Sequence, residues 1–199
     1  MGEGEEEGEV MTDLAELTQS FQTYYEEIDR CLNAKCYWSL VHLLVVLPAV
    51  CAAMETQSGD AEGNEYMNWC RRYFDKDPRF TDKDRYGLRV ALLHQGRTTV
   101  EERGQYRSYS FVPPTGHDVH LTVRDFGADG KNLTIDVARL ADETKRAMQK
   151  WFNDQKDTRR ANIGPNLRWL AREGRAEIPG APGVVWNVPT TSSTGGMGR

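Results

Sequence analysis

The chain has 199 residues, 39% of them apolar, and a formal net charge of −5 at pH 7. This length suits one compact domain with appendages or two small ones, and the apolar share supplies a core, which excludes a wholly disordered chain. Residues 1–16 hold seven of the 30 acidic residues and no basic residue, so the remaining 23 acids face 25 bases, a balance of about +2. The acidic excess is therefore confined to the N-terminus.

Residues 1–12 are rich in Gly and Glu and have almost nothing to bury, so they are predicted to be a disordered acidic tail. A secretory signal starts with basic residues, and none is predicted here. The four cysteines lie in apolar, helical contexts without the spacing of a zinc site, which favours reduced thiols in a cytoplasmic protein and no metal. These cysteines are Cys31, Cys36, Cys51 and Cys70.

Residues 13–104 carry four segments with apolar residues at helical spacing, predicted as helices over 13–32, 37–55, 64–74 and 82–95. The fourth helix has the clearest ends. Thr81 and Asp84 match the start signal [ST]-x-x-[DE], and Gly96 stands where a left-handed residue closes a helix. His94 is therefore predicted to lie in the last turn.

The second helix is the only membrane candidate, because its apolar run has nearly the length of a transmembrane span. It carries His42 and Pro48 in its middle, which favours a buried core helix bent near the proline. A membrane-associated protein is the less favoured alternative, and no membrane partner is predicted.

After residue 103 the pattern changes to short runs in which apolar and polar residues alternate, separated by turns that contain Gly or Pro. This pattern predicts a small antiparallel β-meander, followed by an amphipathic helix that Asp136 can cap. We expect residues 105–155 to pack on the helical bundle and residues 156–199 to form a basic, largely irregular tail. The predicted fold is mainly α, and α+β overall.

Arg89 and His94 lie five positions apart near the end of the fourth helix. Arginine supplies a planar cation suited to phosphate, and histidine exchanges protons near neutral pH, so the pair could cut a phosphodiester without a metal. Five residues advance roughly 140° around a helix and about 7.5 Å along it. Both residues can line one cleft if the arginine curls round the helix or if the site lies between two subunits of a symmetric dimer. Gly87 would permit close approach of helices.

The run from Arg89 to His94 resembles the R-x4–6-H motif of the HEPN superfamily, small all-helical domains of prokaryotic toxins, phage-defence proteins and CRISPR effectors. The resemblance covers the predicted helical half, with the motif on its fourth helix. It implies a metal-independent, homodimeric endoribonuclease without a cofactor, in a toxin–antitoxin or antiviral defence system, whose partners are RNA and an antitoxin or defence protein. His94 would act as general base or acid and Arg89 would hold the scissile phosphate, leaving a 2′,3′-cyclic phosphate.

The motif departs from the family at two positions. Val90 stands where active members often have a polar residue. Gly96 stands where one branch of the family has a tyrosine whose nucleotidylation silences the protein, so this regulation is not expected here. Two alternatives follow. Arg89 and His94 could pair with acids such as Asp84 or cap a helix end, and the protein could be a catalytically silent HEPN-like module that binds RNA, a nucleotide or a partner.

Further basic and polar residues are candidates for substrate binding, each with a plainer alternative. The arginines after Trp69 could extend an RNA groove or form a solvated helix face. The basic stretch 156–175 could supply phosphate contacts and a stacking surface, or be a solvated or partner-docking tail. The glutamine after His94 could contact phosphate or be an ordinary polar residue. These candidates are Gln95, Arg71, Arg72, Arg168 and Arg172.

His117 and His120 suggest a metal site, but they are three apart in a predicted strand and would point to opposite faces. No metal is therefore predicted.

Overall fold

A computed structural model describes residues 23–56, 58–100, 104–114 and 116–155, together with two short strands at 175–177 and 185–187. Within these residues the fold is mainly helical with a small sheet, as predicted. The helices are α1 (23–33), α2 (Tyr37–Met54), α3 (Gly63–Tyr73), α4 (Asp82–Gln95) and α5 (Val137–Asp154). The strands of the sheet are β1 (Ser108–Val112), β2 (Thr122–Asp125) and β3 (Lys131–Asp136). The predicted disordered N-terminus lies outside the described residues.

Helix α2 lies at the centre of the bundle and contacts α3, α4 and α5. It runs through Pro48, and nine of its 18 residues are buried, as expected of a core helix. By length and composition α2 could also cross a membrane, and among the described helices it is the one that meets this criterion. Its buried side chains pack with those of α3, which include Tyr66, Trp69 and Tyr73.

The sheet has the strand order β1-β3-β2, with β3 antiparallel to β2 but parallel to β1. The predicted antiparallel meander is therefore wrong. Tyr109 lies beside Leu133 and Phe111 lies beside Ile135. Alternation of apolar and polar residues predicts which side chains share a face of the sheet, but it is compatible with either strand direction. Strand order is instead set by residues 113–121, which carry the chain from β1 past β3 to its far edge.

Strand β2 is also shorter than predicted. It begins at Thr122, because Leu121 is buried with a left-handed φ of 57°, which interrupts an extended strand. His117 and His120 consequently lie before the strand and not within it.

The C-terminal part contains two strands that the prediction of an irregular tail missed, β4 (Arg175–Glu177) and β5 (Val185–Asn187). They pair antiparallel, with Ala176 opposite Trp186. The rest of the predicted basic stretch lies outside the described residues, and Arg168 and Arg172 lie there with it.

Asp84 joins the start of α4 to the segment that enters the sheet. Its side chain is fully buried and accepts hydrogen bonds from the Thr81 backbone N–H at 2.9 Å and the Gln105 backbone N–H at 2.6 Å. The amide of the Gln105 side chain donates a further bond at 3.0 Å. Gly104 has a φ of 92°, and a Cβ there would lie 2.3 Å from Asp84 Oδ1. Because the Asp84 carboxylate is buried so close to residue 104, glycine is required at that position.

Replacement of Asp84 by alanine removes this carboxylate and leaves buried N–H groups unsatisfied. We expect Asp84→Ala to lower the free energy of unfolding by about 2–4 kcal/mol, measured by urea denaturation. Lys83→Ala, at an exposed position in the same turn, is the matched control and should change it by less than about 0.5 kcal/mol. Equal losses in the two variants would contradict this role.

Candidate active site on helix α4

Helix α4 has the ends that the sequence predicts. Thr81 and Asp84 form a reciprocal capping box, in which the Asp84 N–H donates to Thr81 Oγ1 at 3.4 Å. Gly96 closes the helix with a φ of 61°. His94 is therefore in the last turn.

The inner face of α4 is formed by residues that are buried in the bundle, among them Gly87, Leu88, Ala91 and Leu92. Gly87 thus faces the interior of this subunit. Any close helix approach that Gly87 permits occurs within the bundle and not at a contact with a second chain.

Arg89 lies partly buried over the ring of Tyr66, with 5.4 Å between its guanidinium carbon and the ring centroid. Its Nε is buried and has no hydrogen-bond partner among the described residues. The alternative of an ion pair with Asp84 is wrong, because that carboxylate is bonded to Thr81 and Gln105. Arg89 thus rests on an aromatic face, and its Nε is left without an acceptor among the described residues.

Arg85, one turn earlier on α4, is held in a different way. It is 6% exposed, and its Nη2 donates to Glu143 Oε2 on α5 at 3.0 Å. Its guanidinium carbon lies 3.6 Å from the Phe74 ring centroid and 4.1 Å from that of Phe80. Arg85 therefore has a structural role, and no sequence signal marked its distant carboxylate partner.

The outer face of α4 carries His94 and an apolar stripe. Tyr86, Val90 and Leu93 recur at i, i+4 and i+7, so they lie on one stripe. Leu93 is 36% exposed, and Tyr86 and Val90 are partly buried. At about 100° per residue, Arg89 and His94 lie on opposite sides of this stripe. Within one subunit the two residues therefore flank an apolar surface.

The remaining predicted substrate-binding residues on the described chain each have protein partners. Gln95 is exposed and accepts a hydrogen bond from Arg97 Nε at 2.5 Å. Arg71 is paired with Asp82 at 2.6 Å, and Arg72 is paired with Glu55. Arg71 thus connects α3 to α4, and Arg72 connects α3 to the end of α2. These ion pairs neutralise part of the positive charge of the two arginines.

His120 lies among charged groups, whereas His117 is exposed. Its Nε2 lies 2.8 Å from Glu143 Oε1, and its Nδ1 accepts the Asp136 N–H at 3.2 Å. Both ring nitrogens are therefore occupied by protein partners. Among the described residues no group of three His, Cys, Asp or Glu side chains is arranged to hold a metal ion.

Comparisons with protein-family models, curated proteins and solved structures found no match to this chain.

Glu143 lies between Arg85 and His120, and these two partners change the pKa of its carboxyl. Burial by itself would raise the pKa of the carboxyl, but the hydrogen bond from His120 and the charge of Arg85 lower it below its ordinary value of 4.5. A carboxyl whose pKa is lower in the folded state than in the unfolded state stabilises the fold when the pH is above the unfolded-state pKa. This stabilisation is lost as the pH falls through the folded-state pKa.

We therefore expect Glu143→Gln to reduce the free energy of unfolding at pH 7 by about 1–3 kcal/mol. The difference from the wild type should shrink as the pH is lowered below 4.5. Urea denaturation across pH 3–7 measures both effects, with exposed Asp142→Asn as the control. A difference that is constant with pH would show that Glu143 contributes by packing alone.

Proposed function

We propose that the protein is a metal-independent endoribonuclease of the HEPN type, active as a homodimer in the cytoplasm, and that it serves as a toxin or phage-defence effector. One observation carries the proposal: Arg89 is a partly buried cation that rests on an aromatic ring, with an Nε that has no acceptor among the described residues. A partly buried guanidinium that has no carboxylate partner can be complemented by an anion, and a phosphodiester fits its planar shape.

The position of His94 supports the same chemistry. It is exposed in the last turn of α4, so a substrate can reach its ring.

The apolar stripe of α4 supports a dimer. A stripe formed by Tyr86, Val90 and Leu93 can pack on its own copy across a two-fold axis, because like residues meet in such an interface. Arg89 and His94 flank the stripe, so this packing would bring two of each residue to the edges of one interface. In this arrangement Val90 contributes to the interface, and its apolar character is compatible with activity.

The reaction proposed at this site is a transesterification. One His94 takes the proton of the RNA 2′-OH, and the 2′ oxygen attacks the adjacent phosphorus. The bond from phosphorus to the 5′ oxygen breaks, and the leaving oxygen takes a proton from the other His94. Arg89 binds the phosphate oxygens and stabilises the charge that develops on them. The products are a 2′,3′-cyclic phosphate and a 5′-hydroxyl.

Removal of the Arg89 or the His94 side chain should abolish RNA cleavage without unfolding the protein. We expect Arg89→Ala and His94→Ala to reduce RNA cleavage in the presence of chelator by at least about 100-fold, because each loses a group that acts in the transition state. Expression of the wild type should arrest growth, and expression of either variant should not. The control is Arg30→Ala, on α1 and exposed.

Intact RNA after incubation with folded wild type, with or without chelator, would refute the ribonuclease. Retention of RNA in a gel-shift assay without cleavage would instead support the silent HEPN-like module.

The dimer makes a separate prediction. Leu93→Asp places a charge on the most exposed residue of the stripe and should convert the dimer to a monomer, which sedimentation velocity detects. Cleavage should be lost with it, although Arg89 and His94 are unchanged. Phe126→Asp is the matched control, because Phe126 is a 57% exposed apolar residue in the turn that follows β2. A dimeric, active Leu93→Asp variant would place the interface elsewhere.

A further inference from the structure

We propose that Tyr66 is the positioning residue for Arg89 and that it replaces the carboxylate that usually orients a catalytic arginine. This inference rests on the proposed function, since it concerns the same site. It assigns a role to a buried residue on α3 that is remote in sequence from the Arg/His motif.

The contact between Tyr66 and Arg89 defines the position of the guanidinium. Tyr66 is 2% exposed, and the guanidinium carbon of Arg89 lies 5.4 Å from its ring centroid. A cation over an aromatic face is attracted by the electrons of the ring, and this attraction uses none of the N–H donors of the arginine. A carboxylate would occupy two donors and neutralise the charge. The ring therefore orients Arg89 and leaves it able to bind a phosphate.

The ring of Tyr66 is itself held by packing. Tyr66 and Cys70, one turn later on α3, are both buried, and burial raises the pKa of both groups, that of Cys70 to about 12. The Tyr86 ring packs against the Tyr66 ring at 5.8 Å between centroids. Tyr86 in turn lies over Gly63, where a Cβ would come within 2.7 Å of the Tyr86 ring. The platform under Arg89 is thus held by packing contacts between α3 and α4.

Arg85 provides an internal comparison. It also rests on aromatic rings, but its Nη2 is bonded to Glu143. The two arginines lie one turn apart on the same helix and differ in the presence of the carboxylate. This difference separates an arginine that holds the fold together from one that is oriented for an external anion.

The test compares Tyr66→Leu, which removes the ring, with Tyr66→Phe, which keeps the ring and loses the hydroxyl. Tyr73→Leu is the matched control. Tyr73 is also a buried tyrosine of α3, but it packs on Trp69 and bonds to Glu55 and Asp154. A loss of stability that Tyr66→Leu and Tyr73→Leu share can thus be distinguished from an effect on Arg89 that only Tyr66→Leu shows.

Two measurements on the full-length protein are needed. The first is the NMR signal of the Arg89 Nε–H, assigned by its absence in Arg89→Lys. A ring beneath the guanidinium shifts this signal upfield, and we expect the shift to be lost in Tyr66→Leu and kept in Tyr66→Phe and Tyr73→Leu. The second is cleavage kinetics on a short RNA. We expect kcat of Tyr66→Leu to fall about 10- to 100-fold with KM changed less than about threefold, because Arg89 is misplaced in the transition state.

The two measurements distinguish the failure of this inference from the failure of the proposed function. A wild type that does not cleave RNA refutes the ribonuclease, while the upfield shift still decides whether Tyr66 orients Arg89. An unchanged Arg89 signal in Tyr66→Leu, or a kcat equal to that of Tyr73→Leu, would overturn the positioning role.

Discussion

The buried carboxylate of Asp84 is the constraint on which the rest of the structure depends. It closes the N-terminus of α4 and binds the segment of Gln105 that leads into the sheet. The backbone carbonyl of the same residue accepts the hydroxyl of Tyr109 on β1 at 3.1 Å. Helix, loop and sheet therefore meet at one residue. Because a helix rises by about 1.5 Å per residue, fixing its start also fixes where Arg89 and His94 lie.

The two arginines of α4 show how the surroundings of a charge decide its role. A buried cation is costly unless a carboxylate and further hydrogen bonds compensate it, and Arg85 has this compensation from Glu143. Arg89 is less deeply buried and rests on Tyr66 without a carboxylate among the described residues. The bundle thus holds one arginine in its interior through a carboxylate, and it holds the next arginine over an aromatic ring.

The helices were predictable because their signals are local. The boundaries of α2, α3 and α4 agree with the apolar spacing and with the capping residues to within a residue or so. The cap of α5 by Asp136 is likewise observed, with bonds of 2.9 and 3.0 Å from two backbone N–H groups. The sheet was predicted less well. Alternation identified β1 and β3, but it carries no information on strand order or direction, and the left-handed Leu121 was not foreseen.

The sequence by itself determined the helical character of the protein, the ends of α4 and the place of His94 in its last turn, since capping and periodicity act over four or five residues. Only the tertiary structure decided which groups surround Arg85, Arg89 and His120. Their partners lie on α3, on α5 and at the end of β3, up to 58 residues away in the chain. Pairings of this kind arise from packing between elements, and no short-range pattern encodes them. The candidate residues were therefore visible in the sequence, while the contacts that orient Arg89 emerged only from the fold.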